Sequence, residues 1–223
     1  MLKRLVDILL SSIGLVVFSP ILIPVCITVW LHDFKSPFYT PPRVGKDEKI
    51  FTMVKLRSMV VNADKSGVDS TGANDTRITG VGKLIRKCKL DELSQLWNVL
   101  IGDMSLVGPR PNVKRETDLY TVEEKKLLSV KPGITDISSI VFADEGDILA
   151  DSKDPDLDYN QLIRPWKSRL GILYVEKRSL LMDFKLIYLT AVTILSRSKA
   201  LNGINNILKK LKVDEEMLRV ALR

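Results

Sequence analysis

The sequence predicts a mostly helical α+β chain whose N-terminal segment is apolar enough to enter a membrane. Three observations carry this reading. Residues 8–31 hold no charged side chain, a longer run than the about 20 residues a bilayer-crossing helix needs. Apolar residues recur at helical spacing in several later stretches. A single stretch, residues 49–57 (Lys49-Ile-Phe-Thr-Met-Val-Lys-Leu-Arg57), alternates as a half-buried strand does.

The apolar run is too long for the core of a cleaved signal peptide, and no small-x-small cleavage site follows it. Basic residues stand on both flanks, Lys3 and Arg4 before it and Lys35, Arg43, Lys46 and Lys49 after it. That weakens any topology that sends one flank outside. Ser19-Pro20 lies near the midpoint and Pro24 one turn later. Each proline removes a backbone donor and costs about 3 kcal/mol inside a helix. A kinked span would absorb this; a helix that enters, breaks at Ser19-Pro20 and returns suits prolines and flanks together. In that second case the carbonyls near Val16 and Val17 need internal partners, because lipid supplies none. Ser19, Lys3, Arg4 and Asp7 are the candidates.

Further along, residues 62–75 read as an exposed polar loop, 81–87 as a short basic helix and 91–101 as the next helix, with Leu93, Leu96, Trp97 and Leu100 on one face. Residues 113–130 read as a helix stopped by Pro132-Gly133, 144–158 as an acidic loop, and 157–175 as a helix interrupted at Pro165. Residues 184–195 are apolar with Lys185, Arg197 and Lys199 at the ends, too short to span and suited to an interfacial helix. The tail, 201–223, has amphipathic spacing. The expected division is 1–34 for the membrane segment, 35–200 for the main domain and 201–223 for a tail helix.

At 223 residues the chain can build one core, and its net charge of +7 favours an anionic partner. Aromatics are few and no helix-turn-helix or zinc-finger spacing occurs, so nucleic acid is not expected. Cys26 and Cys88 do not make a disulfide framework, which suits a reducing compartment. Gly80-Val-Gly-Lys83 is too short for a phosphate-binding Walker loop, and His32 has no companions that would hold zinc.

The chemistry concentrates between Arg86 and Pro111. Asp91 and Glu92 are adjacent, a basic run Arg86-Lys-Cys-Lys89 precedes them, and Arg110 follows between two prolines. A carboxylate can attack phosphorus, a second can hold a divalent ion, and a guanidinium can grip phosphate oxygens. First-turn acids also serve a helix for their own sake, at about 0.3–1 kcal/mol each. The length of the string exceeds what a cap needs.

Phe51-Thr-Met-Val-Lys-Leu-Arg-Ser-Met59, Arg77-Ile-Thr, Gly82-Lys-Leu-Ile-Arg86, Leu90-Asp-Glu-Leu93, Gln95-Leu-Trp-Asn98, Gly102-Asp-Met-Ser-Leu-Val-Gly-Pro-Arg-Pro111 and Lys131-Pro-Gly-Ile-Thr135 occur in that order. Together they resemble the bacterial sugar transferase family, small monotopic phosphoglycosyl transferases. The resemblance runs from about Lys3 to about Leu195. It implies a re-entrant hairpin broken at Ser19 and Pro20 and a small cytoplasmic catalytic domain with interfacial amphipathic helices. It implies transfer of a sugar 1-phosphate from a UDP-sugar to undecaprenyl phosphate, releasing UMP. By the same resemblance Asp91 and Glu92 are the catalytic pair, Asp91 as the nucleophile and Glu92 with a part in proton handling; both hold Mg²⁺, and Arg110, Arg86 and Lys55 bind substrate phosphate. The expected setting is the cytoplasmic face of a bacterial inner membrane, with membrane lipid and downstream glycosyltransferases as further partners. Asp103 stands evenly between a turn acid and a supporting group. Two departures stand out: Ser94 occupies a position where relatives often have proline, and residues 136–146 differ from a Gly-x-Ala-Gln-Val-Asn-Gly stretch seen in many. The sugar therefore does not carry over. Two other readings, a lipid-diphosphate hydrolase and a catalytically silent membrane scaffold, use parts of the same equipment.

Overall fold

The computed structural model describes residues 1–66, 71–72 and 75–222. Its first element, α1 (Leu2–Asp33), is one helix with Pro20 and Pro24 inside it. The expected break at Ser19-Pro20 into two separate helices is therefore not seen. Pro20 leaves the Val16 carbonyl without its usual N–H, and the Ser19 hydroxyl donates to that oxygen at 2.7 Å. One turn further on, the Thr28 hydroxyl donates to the Pro24 carbonyl at 2.9 Å. A local hydroxyl thus answers the carbonyl freed at Pro20.

Lys3, Arg4 and Asp7, the other candidates for that duty, moor the helix to the domain instead. The Lys3 ammonium lies 2.6 Å from Asp183 and donates to the Val107 carbonyl. Arg4 donates to the carbonyls of Val99 and Leu100. Buried Asp7 accepts from the Ser105 hydroxyl and the Leu106 N–H. At the far end, both carboxylate oxygens of Asp33 accept from Arg57. Both ends of α1 are therefore held by the same domain. Between them one face packs Val25, Cys26 and Val29 on Leu56 and Ile85, while Leu5, Leu9, Ile13, Val16, Ile23, Ile27 and Trp30 form an exposed apolar stripe.

The β structure is slight. β1 (Phe38–Tyr39) pairs with β4 (Lys55–Leu56), and β2 (Pro42–Val44) with β3 (Ile50–Thr52), both antiparallel. The single strand expected over 49–57 is thus split in two, and a helix side chain fills the gap. Asn98 donates to the Thr52 carbonyl at 2.7 Å and accepts from the Val54 N–H at 2.8 Å. It belongs to α4 (Leu96–Ile101), which follows α2 (Gly80–Lys87) and α3 (Leu90–Leu93). The expected helix over 91–101 is in fact α3 and α4, and its apolar face differs from expectation: Trp97 is exposed, while Ser94, Gln95, Asn98 and Val99 turn inward. Of the loop expected over 62–75, residues 67–70 and 73–74 lie outside the described residues; 63–66 form a 3-10 turn.

β5 (Ser105–Val107) runs parallel to β6 (Gly133–Thr135). Here glycine is obligatory: a Cβ on Gly133 would stand 2.0 Å from the Gly108 nitrogen. The helix expected over 113–130 is also divided, into α5 (Lys114–Thr117) and a 3-10 segment, Glu124–Ser129. Thr121 and Glu124 exchange hydrogen bonds as a capping box, which restarts the helix there.

After β6 come α6 (Ile137–Val141), α7 (Glu145–Ile148), α8 (Pro155–Asp158), α9 (Arg164–Lys177), α10 (Leu180–Leu195), α11 (Arg197–Lys210) and α12 (Glu215–Val220). The acidic stretch is thus partly helical rather than a loop, and its acids find partners both near and far in the chain. Asp144 pairs with Arg197, Glu145 with Lys167, and Asp154 caps α8. Pro165 sits in the first turn of α9, after a π turn, Tyr159–Ile163. α10 is two-faced: Met182, Asp183, Leu186 and Leu189 are buried, while Leu181, Phe184, Tyr188 and Leu195 are exposed. The main core joins α6, α9 and α10 to Leu201, Ile204, Leu208 and Met217 of α11 and α12. α11 straddles the expected boundary at 200, and the tail packs in the same core as the domain.

Candidate active site

Lys55, Arg86, Asp91, Glu92 and Arg110, the residues singled out from sequence, all line one cleft of about 1010 Å³. Ser19 and Pro20 lie on α1, away from it. So does Asp103, whose carboxylate accepts weakly from Asn98 at 3.4 Å and serves the turn after α4. His32 is exposed in the last turn of α1.

Local chain geometry presents the two acids. α2 ends at Cys88, and Lys89 adopts a left-handed conformation (φ 52°) that turns the chain directly into α3. Asp91 and Glu92 then fall in the first turn of α3. Asp91 is 7% exposed, and its Oδ2 lies 2.8 Å from the Lys55 ammonium on β4. The Ser94 hydroxyl lies 3.1 Å from both the Val54 and the Asp91 carbonyls, tying β4 to α3. Proline at position 94 would lack that tie.

Glu92 accepts from the Arg110 guanidinium at 2.9 Å. Burial pushes its carboxyl up, but Arg110, Lys89 and Lys55 together outweigh burial and hold it below the ordinary glutamate range. Arg110 itself is carried by the turn that the β5–β6 glycines allow. Arg86 donates to the Ser58 hydroxyl at 3.0 Å, and burial lowers its guanidinium from the usual value. Asp91 and Glu92 are thus each paired with one cation, and Arg86 and Lys89 line the same cleft.

Other cleft residues were not visible in the sequence. Lys167 of α9 pairs with Glu145 of α7 and lies 5.3 Å from the centre of the Tyr159 ring. Burial raises the Glu145 carboxyl, while Lys167, Arg110 and Lys89 lower it further than burial raises it. Burial also raises the Tyr159 hydroxyl. Nothing in spacing joins Glu145 to the motifs before Pro111; the only hint was that 136–146 departs from relatives.

Among the described residues, no group of three or more His, Cys, Asp or Glu side chains is arranged to hold a metal. Asp91 and Glu92 together offer carboxylate oxygens, and neither Asp91 Oδ1 nor Glu92 Oε2 takes a hydrogen bond among the described residues. Such a pair fits a hard cation that draws its remaining ligands from phosphate and water.

The chain belongs to the bacterial sugar transferase family, whose profile matches residues 1–197. It is 35% identical over 195 residues to the uncharacterized sugar transferase EpsL of Bacillus subtilis, with 87% of each chain covered. It is 33% identical over 198 residues to the UDP-N-acetylgalactosamine-undecaprenyl-phosphate N-acetylgalactosaminephosphotransferase of Aeromonas hydrophila, covering 87% of this chain and 44% of that protein. Against the undecaprenyl-phosphate galactose phosphotransferase of Salmonella typhimurium it is 35% identical over 214 residues, covering 89% of this chain and 41% of that one. The chain thus spans less than half the length of the latter two relatives.

Proposed function

From its place among the bacterial sugar transferases, we propose that this chain moves a sugar 1-phosphate from a UDP-sugar to undecaprenyl phosphate through a covalent intermediate on Asp91. The observation that carries the reading is Asp91 itself, almost buried, 2.8 Å from Lys55 on the wall of a cleft that also holds Glu92, Arg110 and Arg86. The names of the Aeromonas and Salmonella relatives supply the acceptor class, and they differ in the sugar.

In the first half-reaction an Asp91 oxygen attacks the sugar-bearing phosphorus. The new O–P bond forms as the phosphoanhydride breaks, and UMP leaves with the electron pair. In the second, a phosphate oxygen of the lipid attacks the same phosphorus and Asp91 is released as carboxylate. Lys55 holds the Asp91 carboxylate by its ion pair and, with Arg110 and Arg86, neutralises the charge that gathers on the phosphoryl oxygens. Bound Mg²⁺, held by Asp91 and Glu92, would supply further neutralisation of the diphosphate. Arg110 clamps phosphate oxygens and also holds Glu92 in place.

The exposed stripe of α1 and the outer face of α10 suit burial in one leaflet, with both ends of α1 on the domain side. That arrangement brings the cleft to a lipid headgroup on the cytoplasmic face of the inner membrane, where UDP-sugars are found. The test is UMP release by the detergent-solubilised protein with Mg²⁺, a panel of UDP-sugars and undecaprenyl phosphate. Lipid-dependent release from one donor, with loss in Asp91→Asn, is expected. Release of inorganic phosphate instead would favour a hydrolase; no release from any donor would favour a scaffold.

A further inference from the structure

Gln95 is 2% exposed and lines the cleft, yet its Nε2 is buried without a hydrogen-bond partner. Its side-chain oxygen takes no hydrogen bond among the described residues either. Leaving a buried amide unpaired costs about 1–3 kcal/mol, and native proteins rarely do so. Three residues on, Asn98 is equally buried and uses its amide fully, on Thr52 and Val54. The two residues bound one short motif, Gln95-Leu-Trp-Asn98, but only Asn98 is consumed by the fold. Among the described residues, Arg164 and Asn205, which also carry a buried polar atom without a partner, do not line the cleft.

The position of Gln95 relative to Asp91 follows from the backbone. Ser94 and Gln95 both keep right-handed helical angles between α3 and α4. Gln95 therefore lies four residues, about one turn, after Asp91 on the same side. Side chains on a helix lean toward its N-terminus, which carries the Gln95 amide back over Asp91. The neighbouring hydroxyl, Ser94, is already committed to two carbonyls. A neutral amide thus stands one helical turn from the acid, in a cleft that also holds the charged donors Lys55, Arg86 and Arg110.

We propose that the Gln95 amide is a phosphoryl-binding group: turned over about its last torsion, which is broad and two-fold, so that Nε2 takes the place of Oε1, it donates to a non-bridging oxygen of the phosphorus that Asp91 attacks. This rests on the function proposed above. It assigns the orphan donor a partner that arrives with the substrate and persists in the aspartyl-phosphosugar. Because the amide has no partner in the free protein, it turns toward that oxygen without giving up a hydrogen bond.

The discriminating variant is Gln95→Met, which keeps length and volume and removes the amide; Asp91→Asn is the control. The readouts on full-length, solubilised protein are the melting midpoint and the UMP burst from UDP-sugars without lipid. The expected result is a midpoint at or above wild type with a burst slower by about 10²–10³-fold. A wild-type burst in Gln95→Met, or a midpoint well below wild type, would overturn the proposal in favour of packing. If the wild type gave no burst with any donor, the functional reading would be at fault, and titration with pyrophosphate would then decide. Weakening of pyrophosphate binding by about tenfold in Gln95→Met would still support the phosphoryl contact, and unchanged binding would sink it.

Discussion

Two groups of buried polar residues in this protein use similar side chains to opposite ends. At the mooring of α1, Asp183 receives both Lys3 and the Tyr174 hydroxyl, at 2.6 and 2.7 Å. Asp7 receives Ser105 and Leu106. Burial and the bond to Asp183 push the Tyr174 hydroxyl far up, fixing it as a donor. Each of these polar groups is answered from within the chain. In the cleft, Asp91 and Glu92 each keep an oxygen unanswered, and Gln95 keeps its whole amide so. A satisfied network is finished structure; an unsatisfied one is half of a complex.

The contrast is broken most severely if its two sides respond alike to mutation. Asp91→Asn should lower transfer by more than about 10⁴-fold, as loss of a nucleophile does, while the isosteric amide still accepts from Lys55 and limits the loss of stability. Asp183→Leu should do the reverse. It should lower unfolding free energy by about 2–3 kcal/mol, less than for a fully buried pair because the Lys3 side chain is 37% exposed. Transfer per folded molecule should persist. Urea melts alongside UMP release separate the two cases, and matching losses would refute the distinction.

Smaller effects sharpen it. Arg110→Lys keeps charge but loses the fork that grips phosphate, so kcat/KM should fall about tenfold. The Glu92 pair is partly exposed, so melting should change little. The Glu92 carboxyl titrates below its ordinary 4.5. Its ionised form therefore stabilises the folded state fully above 4.5, and that contribution is lost as pH falls through the lowered value. The stability gap between wild type and Glu92→Gln should be open near neutrality and close in acid; a gap constant with pH would refute the charge interaction. Last, Lys89→Gly should relieve the left-handed turn by about 1 kcal/mol and leave one fewer cation in the cleft. Its melting midpoint should rise slightly while donor KM increases.

The cleft was largely legible because Arg86, Asp91, Glu92 and Arg110 lie within one short stretch, where local chain geometry brings them together. Lys55 depended on the resemblance, since no spacing ties a strand residue to a helix 36 positions later. Gln95 was readable as a motif member but not as an orphan, because missing partners exist only in three dimensions. The helices were legible from periodicity, and their subdivisions were not. Thr121 with Glu124 restarts a helix, and Ser19 repairs the backbone at Pro20; a side chain answers a main-chain group in each. Asn98, standing in for a neighbouring strand, was beyond any pattern of alternation.

The mooring of α1 also sets an order of events in the life of the chain. Lys3 is made 180 residues before its counterion, Asp183. At bacterial synthesis speeds of about 5–20 residues per second, the first helix waits roughly 10–40 s for its final anchor. Throughout that interval its outward stripe of Leu, Ile and Val has no folded domain behind it. Lipid is the shelter that matches such a surface, so a membrane would receive this helix before the rest of the fold exists, and the domain would be assembled onto a helix already in place.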